Sequence, residues 1–78
     1  KKMTIIKALQ EVLSEKKEVV FETKDGTSIH ITPEHASTIV SVHDTLNKEN
    51  QQTMRGMLEE SEDKFIKVLQ FCDKQFNK

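Results

Sequence analysis

The sequence predicts a small α+β domain: an N-terminal helix, a two-stranded antiparallel β-hairpin, then three helices packed on one face of the hairpin. Three observations point there. Apolar residues follow a helical period over residues 4–17, shift to a period of two over residues 18–32 around Asp25-Gly26, and return to the helical period afterwards. Helix-start signals stand at Thr32-Pro33 and at Ser61. No repeat, low-complexity tract or Pro/Gly/Ser-rich linker divides the 78 residues, so they make a single domain. The chain opens Lys1-Lys2-Met3 rather than at a methionine, as expected if a tag remnant precedes Met3 or if this is a piece of a longer chain.

The first helix is amphipathic. Ile5, Ile6, Ala8, Leu9, Val12 and Leu13 fall within an arc of roughly 160° at about 100° per residue. Lys7, Gln10, Glu11 and Ser14 take the wet side, and Thr4 is placed to cap the start.

The period then changes to two, and the register of the hairpin can be derived. A two-residue Asp-Gly loop would pair Glu22 with Ile29 and Val20 with Ile31, leaving Val19 and Phe21 on the face opposite the isoleucines. A three-residue loop, Lys24-Asp25-Gly26, closes with a type I turn and a left-handed Gly26 in a bulge. It pairs Thr23 with Thr27, Phe21 with Ile29 and Val19 with Ile31, so four apolar side chains share one face. A one-residue slip would expose half of them, which favours the bulged turn. The other face carries Glu18, Val20, Glu22, Ser28 and His30, a solvated set.

Thr32 caps the second helix, with Pro33 at its first position and Glu34 at the positive end of the dipole. Ala36, Ile39, Val40, Val42 and Leu46 form its apolar arc, and Asn47 ends it or caps the next helix. A shorter stripe of Asn50, Met54, Met57 and Leu58 marks the third helix, with the two methionines as core filler. Ser61 with Glu62 and Asp63 starts the last helix. Its stripe of Phe65, Val68, Leu69, Cys72 and Phe76 spans roughly 100°. Lys74 and Lys78 suit its negative end.

Composition narrows the function classes. A domain this short buries only about 60% of its unfolded surface, and only 35% of its residues are hydrophobic. A core that thin favours help from a partner, from self-association or from a longer parent chain. Twelve basic and thirteen acidic residues are interspersed, for a net charge of −1, so nucleic acid is not an expected partner. Apolar runs are too short for a membrane span or a signal peptide. Cys72 is the only cysteine, which excludes an intrachain disulfide and fits a reducing, cytoplasmic compartment.

His35 and His43 lie on one side of the same helix, but eight residues separate them by about 12 Å. Zinc holds its ligands at about 2 Å, so these two cannot share an ion, and no metal is expected. His43, near the centre of its helix's apolar arc, is expected to be partly buried and hydrogen-bonded to a neighbour. Cys72, between Phe65 and Phe76 on the buried stripe, reads as a small inert hydrophobe rather than a nucleophile. No nucleophile-elbow motif is present, and two glycines make no phosphate-cradling loop. The acidic run at residues 59–63 is dipole complement and solvation. No catalytic residue, cofactor or small-molecule substrate is expected.

A succession in the second half carries a resemblance. Leu46-Asn47-x-Glu49-Asn50, then Met57-Leu58-x-Glu60-Ser61, then Phe65-x-Lys67-Val68-Leu69-x-Phe71 resembles the end of small head-associated proteins of T-even-like tailed phages, commonly labelled prohead core or virion structural proteins. The likeness covers about residues 24–72 and consists of helix caps and apolar spacings; the first helix is not part of it. It implies a non-enzymatic assembly role within a longer chain, and a place in the virion or the host cytoplasm. It transfers no functional residues.

The leading expectation is therefore a structural module acting through protein–protein contact. Phe71 is the residue expected to touch a partner. It falls about 100° from the centre of the last helix's apolar span, among Lys64, Lys67 and Lys74. A large aromatic framed by lysines has the make-up of an interface anchor. The competing placement packs Phe71 under the third or the first helix. The alternative function is a small regulatory or nucleic-acid-associated binding domain.

Overall fold

The structure is a computed structural model that describes residues 4–76. Lys78 and the Phe76 side chain lie outside the described residues. In chain order the elements are α1 (Ile5–Glu15), β1 (Val19–Glu22), β2 (Ser28–Ile31), α2 (Pro33–His43), α3 (Lys48–Glu60) and α4 (Glu62–Phe76). This is the helix–hairpin–three-helix order read from the sequence.

Each predicted cap is made. Thr4 accepts from the Lys7 N–H at 3.3 Å, Thr32 from the His35 N–H at 3.2 Å, Asn47 from the Asn50 N–H at 2.8 Å and Ser61 from the Lys64 N–H at 3.2 Å. Each bond satisfies one N–H that its helix leaves without a partner. α2 stops at His43, so Leu46 sits half-buried in the link to α3, and Asn47 caps the following helix rather than ending the preceding one.

The hairpin has the bulged register. β1 and β2 pair antiparallel, Val19 with Ile31, Val20 with His30, Phe21 with Ile29 and Glu22 with Ser28. The Gly26 N–H reaches the Thr23 carbonyl at 3.0 Å, the Thr23 N–H reaches the Thr27 carbonyl at 2.8 Å, and Gly26 has φ +91°. Phe21, Ile29 and Ile31 are buried and Val19 is half-buried, while Glu18, Val20, Glu22, Ser28 and His30 are exposed.

One cluster forms the core. Ile5, Leu9 and Val12 of α1, Ile31 of β2, Ile39 of α2, Leu58 of α3 and Cys72 of α4 have essentially no exposed surface. α1 packs against α2, α3 and β1, and α4 packs against α2 and α3. Met54 is buried and Met57 half-buried, as filler should be. Asn50 is a correction, since it is exposed. Gln51 turns inward instead, and its side-chain amide donates to the His43 carbonyl at 2.9 Å, tying α3 to the end of α2.

Nothing lies within 4 Å of where a Cβ on Gly26 would stand, so any cost of a side chain there comes from the backbone angle and not from a clash. Gly26→Val is expected to lose about 1 kcal/mol or more, because a β-branched residue resists positive φ. Urea melts of the two proteins measure it, and an unchanged midpoint would contradict the bulged turn.

Candidate protein-contact face

α4 presents three surfaces. Phe65, Val68 and Cys72 face the core, with Leu69 half-buried beside them. The other two surfaces follow from the helical period, which leaves Phe71 on one flank of this stripe and Ile66 on the other. Both are exposed, Phe71 to 50% and Ile66 to 43%. The competing placement of Phe71, beneath a neighbouring helix, is not what the structure contains.

The two flanks differ in charge. At spacings of three, four and seven residues, Lys74, Lys67 and Lys64 stand on the same side of α4 as Phe71. Lys67 and Lys74 are exposed and Lys64 is half-buried. None of the three has a salt-bridge partner among the described residues. Lys64 sits in the first turn of α4, beside the positive end of the helix dipole, a placement that does not help the helix. On the Ile66 flank the same period places Asp63 and Gln70.

The histidines do not converge. His30 is exposed and lies 3.3 Å from the Glu18 carboxylate, a surface pair worth little. His35 has a buried Nδ1 with no hydrogen-bond partner among the described residues. His43 is buried, as its position in the apolar arc led one to expect, and its partners fix its tautomer. Arg55 Nη1 stands 3.1 Å from its Nε2, and Asp44 Oδ1 stands 3.2 Å from its Nδ1. Arginine can only donate, so Nε2 accepts and the neutral ring carries its proton on Nδ1, facing Asp44. Sequence reasoning missed Arg55, because nothing in the helical periods says which residue of α3 meets the end of α2. Among the described residues, no group of three or more His, Cys, Asp and Glu is arranged to hold a metal ion. No described helix is long and apolar enough to cross a membrane.

Cys72 is fully buried. Burial, reinforced by the neighbouring Asp73 carboxylate, pushes its thiol up to about 11. At neutral pH it is therefore a thiol, and the thiolate is the reactive form. Asp25 is the opposite case. The Thr23 hydroxyl at 2.6 Å and the Thr27 hydroxyl and N–H at 2.7 and 3.0 Å all donate to its Oδ1, which holds its carboxyl below the usual aspartate value. No family model matches the chain, and comparisons with curated proteins and with solved structures return no match either.

Two predictions follow from these side chains. A thiol reagent at neutral pH should label Cys72 slowly in the native protein and rapidly once urea unfolds it; fast native labelling would reopen the nucleophile reading. The depressed Asp25 carboxyl contributes stability that is present above its unfolded pKa and is lost as pH falls through the folded value. Carboxyl-carbon NMR should find Asp25 titrating below the usual aspartate value, and the shift should shrink in a Thr23→Val, Thr27→Val double variant, which keeps only the backbone N–H donors.

Proposed function

We propose that this chain is a non-enzymatic assembly module that works through protein–protein contact, with Phe71 on α4 as its anchor. The observation that supports this reading is the half-exposed Phe71 ring among three lysines that have no salt-bridge partner among the described residues. In a domain with four phenylalanines, one left outside the core is costly unless something covers it. The lysine rim selects for an acidic surface, which would bury the ring while matching the charge. The phage head-associated setting rests on the residue pattern over 24–72, and mass spectrometry of the particle would find the chain there or not.

The second reading, nucleic-acid association, draws on the same lysines, since they share one face. Three lysines on a chain of net charge −1 make a weak phosphate track. Oligonucleotide binding that weakens steeply with salt and is lost in a Lys64→Gln, Lys67→Gln, Lys74→Gln variant would favour it over the protein-contact reading.

A photo-crosslinking residue at position 71, introduced in the cells that make the protein, tests the proposal. One defined protein should be captured there, and not from the same probe at Ser14 on the exposed side of α1. Equal, diffuse capture from both positions would overturn it. Phe71→Ala should leave stability within about 1 kcal/mol, as exposed substitutions usually do. Loss of about 3 kcal/mol or more would mark a core residue instead.

A further inference from the structure

α4 leaves two large apolar side chains outside the core, and its charges divide between them. Phe71 and Ile66 stand on opposite sides of the core-facing stripe. All three lysines of the helix, Lys64, Lys67 and Lys74, fall on the Phe71 side. Its acids, Glu62, Asp63 and Asp73, fall on the Ile66 side together with Gln70. Glu62, Asp63, Lys67 and Lys74 are exposed, and none of the four has a salt-bridge partner among the described residues. Asp63 and Lys67 are one turn apart, within reach of each other, and still do not pair. The helix dipole accounts for acids in the first turn. It does not account for Ile66, left exposed between Asp63 and Gln70.

We infer that the acidic surface covering Phe71 is the Ile66 flank of a second copy of this chain, so that copies join head to tail through unlike flanks of α4. The inference rests on Phe71 being the contact residue proposed above. Charge selects the occupant. The Phe71 flank laid on itself would set lysines against lysines, and the Ile66 flank laid on itself would set carboxylates against carboxylates. Like charges facing each other across an interface oppose association, so only unlike flanks match. With Phe71 of one copy against Ile66 of the next, a lysine and an acid come level whichever way the two helices run. Antiparallel, Lys74, three residues beyond Phe71, meets Asp63, three residues before Ile66. Parallel, Lys67 meets Glu62, each four residues before its anchor. The two apolar side chains cover each other at the centre, and the charges form the rim. Such a contact is heterologous. Each copy keeps one flank open after its first contact, so association continues past two chains into a ring or an open row.

Sedimentation equilibrium over a concentration series tests the inference. The wild-type mass should rise past that of two chains, and added salt should lower it again. Phe71→Ser and Ile66→Ser should each remain a single chain with unchanged circular dichroism, because both side chains are exposed. Mixed in equal amounts, the two variants should form a complex of two chains and no larger. One brings an intact Ile66 flank and the other an intact Phe71 flank, so a single contact can form. Should a serine variant misfold, charge reversal makes the same comparison. A Lys67→Glu, Lys74→Glu variant and a Glu62→Lys, Asp63→Lys variant should each stay single alone and associate when mixed. A wild type that stays one chain throughout, association that survives Ile66→Ser, or variants that ignore each other when mixed would overturn the inference. Those results leave open the capture of a different protein by the crosslinker at position 71, so the identity of the partner can fail while Phe71 stands as the anchor.

Discussion

At the tip of the hairpin, two backbone N–H groups point at two of the carbonyls that close α3. Lys24 donates to Glu59 at 2.8 Å and Asp25 donates to Glu60 at 3.2 Å. A helix leaves its last carbonyls unpaired, and here a turn more than thirty residues away supplies the donors. The same turn serves the next helix, because the Thr27 hydroxyl accepts the Glu62 N–H at 3.2 Å. The Glu59 carboxylate accepts the Ile5 N–H at 2.9 Å, so the start of α1 joins the arrangement. Four elements thus meet at one hydrogen-bonded joint. Its geometry depends on the bulged turn, and the turn depends on Gly26 and on the Asp25 carboxylate that gathers Thr23 and Thr27.

That joint also accounts for how few residues the fold needs. The sheet has two strands of four residues, which could not stand alone in water. One face of the hairpin joins the common core through Phe21, Ile29 and Ile31, and its tip is held by the helix ends. Among the described residues, the large apolar side chains left outside are Val20 on β1 and Ile66 and Phe71 on α4.

Much of this architecture was legible because it is local. Alternation and the demand that four apolar side chains share a face were enough to derive the hairpin register. The caps at Thr4, Thr32, Asn47 and Ser61 each lie within three residues of the N–H they serve. The angle of Phe71 on α4 was compatible with exposure or with cover by a neighbouring helix, and Ile66 sits as far off the stripe on the other side. What stayed hidden is long-range or runs against residue preference. Asn50 and Gln51 are adjacent amides, and only the position of the His43 carbonyl decides which one turns inward. α1 ends at Lys16 with φ 54°, a left-handed position where glycine is the usual signal and none is present. The contact of Arg55 with His43 depends on how α3 crosses the end of α2.

The shared joint bears on how the molecule opens. Where a helix end or hairpin tip is served only by water, it can fray on its own, and its amides then report a local event. Here the amides of Lys24 and Asp25 cannot be released without baring the end of α3, and the tip cannot leave without uncapping α4 as well. Breathing of the hairpin, of the α3–α4 corner and of the start of α1 is therefore one coupled motion. Those elements are expected to open together, although each is short and would be unstable alone.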